Sequence, residues 1–407
     1  MRVLFLAPDM GIYPASFVAG LASSGAEVFG IGLTPQDRMA SDLRERLSGY
    51  EQVARIFEPE VLLEAAGRLA GAELFDRVET IEEQLVEHAG RLRDHLGVTG
   101  LSEKTALLCR DKTAMKAHLR RHGIACARSA SVASEGEALA FAERAGYPLV
   151  LKPVAGFGSL STFKVTSTNE MRWALGQLHD TGARRIAVEE FVEGHEGFYD
   201  TIVDGSGVRH EFVSHYFPGC LEATRSRWIS PQIVTTNRLD SEGYRELRDV
   251  GRRVIEVLGL KETATHMEWF FGPKGLKVSE IGARPAGEKI WDMYGVANDF
   301  DIYREWALGV CGRPSEGAPS RRLAVGSVQI RPDRDGSVVG YEGLDEVWKR
   351  CGSMIYESRV PRPGSPTSPL EKGYFTNTWF RLRHPDYDEL RRSLDFIGET
   401  VKVHATA

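Results

Sequence analysis

Two glutamates lie in consecutive apolar segments that are typical of neighbouring strands. Glu268 lies in THMEW and Glu280 in VSEIGARP, and the turn sequence GPKG between them predicts a hairpin. A buried carboxylate is costly unless it is paired or binds a metal, and two on adjacent strands repel each other without a cation. Mg²⁺ takes one or two carboxylates together with substrate phosphates. The pair therefore predicts a magnesium site.

An arginine follows this pair at close spacing. Arg284 comes four residues after Glu280, and a guanidinium suits a bidentate grip on a carboxylate or an acyl phosphate. The alternative is a plain salt bridge from Arg284 to one of the two glutamates.

A lysine at the end of an apolar strand is followed by a Gly/Ser loop. Lys152 ends LVLKP, and Gly156, Gly158 and Ser159 follow in the loop 154–161. Glycines let backbone N–H groups approach phosphate oxygens, and the lysine supplies a positive charge for them. The loop is not a Walker motif, because no G-K-[ST] is present and a strand follows. The alternative is an ordinary hairpin loop with a surface lysine.

A third segment, VEEFVEGHE, is rich in carboxylates. Glu189 and Glu190 end a strand, and Glu196 follows just past a glycine. These carboxylates could accept hydrogen bonds from an adenine amino group or from ribose hydroxyls, and backbone groups near Val192 could read the adenine edge. The alternative is a solvated acidic strand end.

Composition excludes several classes of protein. The 407 residues carry a formal net charge of -6, which does not favour nucleic acid as a partner. The five cysteines contain no C-x-x-C pair, so neither a zinc site nor a disulfide framework is predicted. No apolar run reaches the roughly 18 residues that span a bilayer, and a cytoplasmic location without membrane contact is the default expectation.

The elements that must position these residues fall into three blocks of a mixed α/β and α+β protein. Residues 1–102 open as strand, helix, strand, which predicts a parallel α/β domain without a dinucleotide fingerprint. Residues 103–315 form the central block, with a small α+β lobe at about 125–194. Residues 218–236 show no clear period and are predicted to be a lid loop that carries Arg225, Arg227 and Trp228. Residues 316–407 have short strands and one late helix at 387–396.

Taken in order, these motifs resemble the ATP-grasp superfamily over more than half of the chain, from about residue 97 to 312. The first block then resembles the family's Rossmann-like N-terminal domain, and the last block its small C-terminal α+β domain. Among the members, the arrangement is similar to L-amino-acid ligases and related carboxylate–amine ligases, with a three-domain layout like that of biotin carboxylase.

The resemblance implies a role for each matched position. It assigns catalytic roles to Lys152 and Arg284 and assigns Mg²⁺, with Mn²⁺ as an alternative, to Glu268 and Glu280. It assigns ATP to Lys112, Lys152, Gly156, Gly158, Ser159, Glu189, Glu190, Val192 (through its backbone) and Glu196 (at the ribose). Arg284 would hold the substrate carboxylate or the acyl phosphate, and His266, Glu288 and Trp291 are candidate substrate contacts.

One position departs from the family pattern. The family usually has Asn two residues after the second metal glutamate, whereas this chain has Gly282. The number of metal ions and the third protein ligand are therefore open.

The implied activity joins a carboxylic acid to an amine. A carboxylate, for example of an amino acid, would be activated as an acyl phosphate on ATP and passed to an amine, giving an amide, ADP and phosphate. A homodimer is expected from the family. Two alternatives remain: a bicarbonate-activating carboxylase of the same fold, and a nucleotide-binding regulatory protein without turnover.

Overall fold

The computed structural model describes the whole chain except Ile12, Arg225, Glu288, Ala407 and positions 155–160, 181, 183, 184 and 371–373. Within the described residues, no helix combines the length and the apolar character that a membrane crossing requires.

The N-terminal block is a parallel sheet covered by helices, as the sequence predicts. Its first strand is fully buried from Val3 to Leu6, which explains the apolar run at the start of the chain. The sheet has the order β3-β2-β1-β4, with every pairing parallel. Its strands are β1 Arg2–Leu6, β2 Glu27–Gly32, β3 Leu47–Gln52 and β4 Arg77–Glu79. Its helices are α1 Pro14–Ser23, α2 Ser41–Arg44, α3 Pro59–Ala70 and α4 Val86–Leu96, with 3₁₀ turns at Gln36–Arg38 and Glu83–Leu85.

Two helices lead from this block to the small lobe. Helix α5 spans Glu103–Arg110 and helix α6 spans Lys112–Arg121. Asp111 caps α6, because its Oδ1 accepts hydrogen bonds from the backbone N–H groups of Thr113 and Ala114, both at 2.9 Å. This cap fixes where the first turn of α6, with its lysine, begins.

The small lobe is an antiparallel sheet of order β5-β8-β6-β7 with two helices. Its first helix is capped at the N-terminus, because the Ser134 hydroxyl accepts from the Glu137 N–H and the Glu137 carboxylate accepts from the Ala133 N–H. The elements are β5 Ser129–Val132, α7 Glu135–Ala145, β6 Leu149–Pro153, β7 Phe163–Val165, α8 Thr168–Asp180 and β8 Ile186–Glu190.

A large sheet of eight strands occupies the centre of the molecule, in the order β13-β12-β9-β10-β11-β14-β17-β16. The strands of its first part are β9 His195–Asp204, β10 Gly207–Phe217, β11 Gln232–Thr235, β12 Thr263–Gly272 and β13 Gly275–Gly282. The helices between and after these strands are α9 Cys220–Ala223, α10 Arg245–Leu258, α11 Ile290–Asn298 and α12 Ile302–Val310, with a 3₁₀ turn at Glu242–Tyr244. The strands of its second part are β14 Ala324–Ile330, β16 Ile355–Arg359 and β17 Thr378–His384, and the helices of this region are α13 Leu344–Cys351 and α14 Tyr387–Thr400. Strands β15 Ser337–Glu342 and β18 Lys402–Thr406 pair separately.

The last block differs from the prediction in two ways. It contains a helix that the sequence reasoning did not predict, α13, in addition to the late helix α14. Its strand β14 also pairs with β11 of the central block, so one sheet continues across the boundary predicted at 315/316. The last block is therefore joined to the central one by backbone hydrogen bonds.

The predicted lid is only partly a loop. Residues 232–235, QIVT, form the buried strand β11, so the prediction of a structureless segment is wrong at this end. Four residues are too few for the period-2 pattern to be recognised against their Gly, Ser and Arg surroundings.

The N-terminal block packs tightly on the central block through a glycine. A Cβ atom at Gly20 of α1 would lie only 2.4 Å from the carbonyl oxygen of Tyr303 in α12, so this helix crossing requires glycine.

Candidate active site

One face of three adjacent strands collects the polar residues of the site. Alternate residues of a strand point to the same face of the sheet, and laterally paired residues share that face. Glu268 of β12 is directly opposite Glu280 of β13, and a register shift follows between Glu268 and Trp269. His266 of β12 is opposite Asp200 of β9 and Gly282 of β13. The hairpin thus places the predicted metal glutamates side by side.

The two carboxylates respond oppositely to being close together. Burial and the charge of Glu280 raise the pKa of Glu268. Burial also acts to raise the pKa of Glu280, but Lys112 and Lys152 outweigh it and lower this pKa to about 2. Because the charge of Glu280 opposes the ionisation of Glu268, a divalent cation between the two carboxylates would relieve their repulsion. No third acidic, His or Cys side chain joins them as a ligand in the described part of the chain, so the remaining ligands of an ion would be water or substrate oxygens.

Three lysines, two from helix α6 and one from strand β6 of the small lobe, lie close to this pair and to Glu189. Lys112 Nζ lies 3.2 Å from Glu280 Oε2. Lys152 Nζ lies 3.6 Å from the same oxygen and 3.2 Å from Glu189 Oε2. Lys116 Nζ lies 2.6 Å from Glu189 Oε1. The predicted phosphate lysines therefore lie directly beside the carboxylate pair.

The acidic end of β8 is held by cations rather than solvated. Lys116 and Lys152 both contact Glu189 and lower its pKa, although burial acts to raise it. Arg128 Nε lies 2.6 Å from Glu190 Oε2, and Lys277 bonds the other oxygen of Glu190. Burial raises the pKa of Glu190, but these two cations outweigh it and lower the pKa to about 2. Both carboxylates are thus engaged within the protein, and the half-buried Val192 follows them in the chain.

Glu196 connects the site to the segment predicted as a lid. Its Oε2 accepts a hydrogen bond of 2.7 Å from the backbone N–H of Cys220, at the start of α9. Burial and the nearby charge of Glu268 raise the pKa of Glu196 to about 8. Beyond α9, Arg227 bonds Asp335 at 2.9 Å and Ser230 bonds the Gly398 carbonyl at 3.1 Å. The segment is therefore tied to the last block and is not a freely exposed loop, although Trp228 within it is 82% exposed.

Arg284 is bonded to a residue from the N-terminal block. Its Nε donates to Glu83 Oε2, and its Nη1 donates to the Pro285 carbonyl at 2.7 Å. Arg110 Nη1 holds the other oxygen of Glu83 at 2.6 Å. The alternative considered for Arg284, a salt bridge to Glu268 or Glu280, is thus not what the structure shows.

His266 is oriented by a buried carboxylate. Its Nδ1 lies 2.7 Å from Asp200 Oδ1, while Tyr294 donates to Asp200 Oδ2 at 2.6 Å. His266 Nε2 lies 3.9 Å from Glu268 Oε1, so the ring borders the carboxylate pair. Its predicted position at the site fits this geometry.

Trp291 does not fit its predicted position. Its side chain is 2% exposed and packs in the core, with ring centroids 5.0 Å from Phe17 and 6.0 Å from Tyr303. The expectation that Trp291 contacts a substrate is therefore replaced by a packing role. Gly156, Gly158, Ser159 and Glu288 lie outside the described residues.

The sequence reasoning missed Lys116, Asp200, Glu83 and Arg110. Lys116 had a local signal, because it follows Lys112 by four residues and so lies on the same face of α6. Asp200 also had a signal, since it is a carboxylate within an apolar strand. Glu83 and Arg110 had none, because their contacts depend on how the blocks pack.

We expect Lys116→Met to destabilise the fold by about 3 kcal/mol, because it removes one of two cations from a buried carboxylate. Lys116 is fully buried and Glu189 is 4% exposed. The measurement is the free energy of unfolding from urea titration. The control is Lys104→Met at an exposed position of α5, where we expect a change below about 0.5 kcal/mol. Equal stability of the two variants would show that Lys152 alone suffices to hold Glu189.

One family model and several curated proteins match this chain. Residues 111–284 match the family model of the carbamoyl-phosphate synthase L chain, ATP binding domain. The chain is 23% identical to an L-arginine-specific L-amino acid ligase of Bacillus subtilis over 348 residues, which cover 82% of this chain and 81% of that protein. Several other curated ligases are matched over only about half of their length, 46–48%.

Solved structures share the fold along the whole chain. The L-amino acid ligase of Bacillus licheniformis superposes with a TM-score of 0.77 at 16% identity, covering 100% of this chain and 99% of that one. The biotin carboxylase domain of the Hydrogenobacter thermophilus 2-oxoglutarate carboxylase, solved with MgADP and bicarbonate, gives a TM-score of 0.67 at 16% identity, covering 97% and 89%. The predicted fold class is confirmed.

The ATP-binding domain, the fold and the ligase relatives agree with the ordered motifs of the sequence. Residues 111–284 thus form an ATP-binding domain of the ATP-grasp type, and the chain has the ATP-grasp fold.

Proposed function

We propose that this protein is an ATP-dependent carboxylate–amine ligase that forms an amide through an acyl phosphate. The observation that carries the proposal is the pair Glu268 and Glu280, side by side on the hairpin and faced by Lys112 and Lys152. Such a pair would hold Mg²⁺, with Mn²⁺ as an alternative, and the ion would neutralise charge on phosphate oxygens.

In the first step, an oxygen of the substrate carboxylate attacks the γ-phosphorus of ATP. A P–O bond forms to the acid, and the bond to the β-phosphate oxygen breaks, so that ADP leaves. Lys112 and Lys152 offset the negative charge that develops on the phosphoryl group. We assign the binding of the acid's carboxylate oxygens to Arg284.

In the second step, an amine attacks the carbonyl carbon of the acyl phosphate. The C–O bond to phosphate breaks, the amine nitrogen loses a proton, and an amide and inorganic phosphate remain. The protein needs no covalent nucleophile for either step. Its task is to hold the reactants together and to exclude water from the acyl phosphate.

Amino acids are the substrates we favour. The support comes from the relatives, which include an L-arginine-specific L-amino acid ligase and a D-alanine–D-alanine ligase. A homodimer and a cytoplasmic location stay predictions.

The carboxylase alternative rests on the shared fold of the biotin carboxylase domain. It predicts that bicarbonate stimulates ATP cleavage, whereas an acid together with an amine does not. The regulatory alternative rests on Gly282 and predicts nucleotide binding without turnover.

A substrate panel separates the three functions. Phosphate release is measured for pairs of amino acids, for single amino acids and for bicarbonate, and products are identified by mass spectrometry. We expect release that requires both an acid and an amine, with a product mass equal to their sum less one water. Release with bicarbonate alone would favour the carboxylase, and nucleotide binding without release for any pair would favour the regulatory protein.

A further inference from the structure

A carboxylate from the N-terminal block reaches the arginine of the proposed acid site. Glu83 begins the 3₁₀ turn that follows β4, while Arg284 lies 201 positions further along the chain. Glu83 bonds Arg284 through one oxygen and Arg110 through the other. The three side chains are only 16–19% exposed, so solvent screens these contacts weakly.

The contact between Glu83 and Arg284 passes beside Gly282, which has no side chain. A Cβ atom at Gly282 would lie 3.5 Å from Glu83 Oε2 and 3.7 Å from Arg284 Cγ. Those are ordinary van der Waals distances, so a methyl group would fit there. A longer side chain would have to displace the Glu83 carboxylate or the Arg284 stem. Glycine at 282 therefore leaves the opening through which Glu83 reaches Arg284.

Charge and geometry fix the orientation of the guanidinium. Glu83 is a carboxylate between two arginines, and Arg284 is held at Nε by Glu83 and at Nη1 by the Pro285 carbonyl. No protein acceptor bonds Arg284 Nη2 among the described residues. The guanidinium is thus locked on one side and keeps a donor for a substrate oxygen.

We propose that Glu83 is a positioning residue for carboxylate activation. Held by Arg110, it sets Arg284 beside the Glu268–Glu280 pair, so that the substrate carboxylate meets the γ-phosphate in the required orientation. The proposal rests on the proposed function and deepens it, because the N-terminal block then completes the acid site.

The first test compares Glu83→Gln with the matched control Glu87→Gln, a nearby glutamate in the first turn of α4. Glutamine keeps the size of the side chain but cannot form either ion pair. We expect kcat/KM for the acid to fall about 100-fold in Glu83→Gln, since small misplacements at a reacting centre have effects of this order. The KM for ATP should change less than about threefold, and Glu87→Gln should match the wild type.

A second readout does not depend on turnover. Phenylglyoxal modifies accessible arginines, and peptide mass spectrometry follows the modification of Arg284. We expect Arg284 to react several-fold faster in Glu83→Gln than in the wild type or in Glu87→Gln. An unchanged rate at Arg284 would overturn the contact. A faster rate without acid-dependent turnover in the wild type would overturn the ligase function while the contact stands.

Gly282 gives an independent test. Gly282→Asn should speed Arg284 modification and lower kcat/KM for the acid, because the longer side chain pushes into the Glu83–Arg284 contact. Gly282→Ala should have a much smaller effect. Full activity of Gly282→Asn would overturn the positioning role, since the site would then work with Glu83 displaced.

Discussion

Glu280→Gln should reduce acid- and amine-dependent phosphate release by at least about a thousandfold. Lys112 and Lys152 both contact Glu280 and lower its pKa to about 2. A neutral amide in its place would remove one of the two charged ligands of the proposed divalent cation and weaken the hold on both lysines. The loss should appear in kcat, because the charge it helps to neutralise develops in the transition state.

The fold should survive this substitution. Glu280→Gln removes the repulsion with Glu268 at the same time as it removes two ion pairs, so the opposing effects on stability partly cancel. Thermal unfolding should show a midpoint within a few degrees of the wild type, and Glu143→Gln, at an exposed position of α7, serves as the control. Wild-type turnover in a well-folded Glu280→Gln protein would refute the metal assignment.

Lys152→Met should lower kcat/KM by about 100- to 1,000-fold, the loss expected for one charged donor at a developing phosphoryl charge. Lys152 bridges the small lobe and the hairpin, because its Nζ lies between Glu189 and Glu280. Its pKa is raised because these carboxylates outweigh burial, so it stays charged throughout the working range of pH. This variant should also bind ATP more weakly.

Calorimetric titration with MgATP measures the effect of Lys152→Met on nucleotide binding separately from its effect on turnover. We expect the dissociation constant to rise about tenfold or more, as for the loss of a charged contact to phosphate. The matched control is Lys274→Met, a lysine at the exposed turn of the same hairpin, which should bind MgATP like the wild type. Unchanged MgATP affinity and turnover in Lys152→Met would remove this lysine from the phosphate site.

The Glu268–Glu280 pair could be predicted from the sequence because its geometry is local. A GPKG turn between two apolar segments predicts a hairpin, and its alternation brings Glu268 and Glu280 to one face. The structure pairs these two residues directly. The helix caps at Asp111 and Ser134 are local in the same sense, since capping depends on neighbours in sequence.

The ion-pair partners were beyond the sequence because they depend on packing between blocks. Glu189 and Glu190 were expected to be open to adenine, yet lysines and arginine from α6, β6, β13 and the segment before β5 engage them. Glu83 and Arg284 lie 201 positions apart, and no local pattern links them. Sequence spacing could therefore identify the chemistry of the hairpin, whereas the partners of each charge required the fold.

Oxygen transfer from acid to phosphate tests the central claim most directly. A substrate acid labelled with ¹⁸O in its carboxylate is turned over with ATP and the amine, and the phosphate released is analysed by mass spectrometry. The proposed mechanism predicts one ¹⁸O atom in each phosphate, because the carboxylate oxygen that attacks the γ-phosphorus leaves with it. Unlabelled phosphate, with the lost ¹⁸O found in AMP or in water instead, would contradict an acyl phosphate.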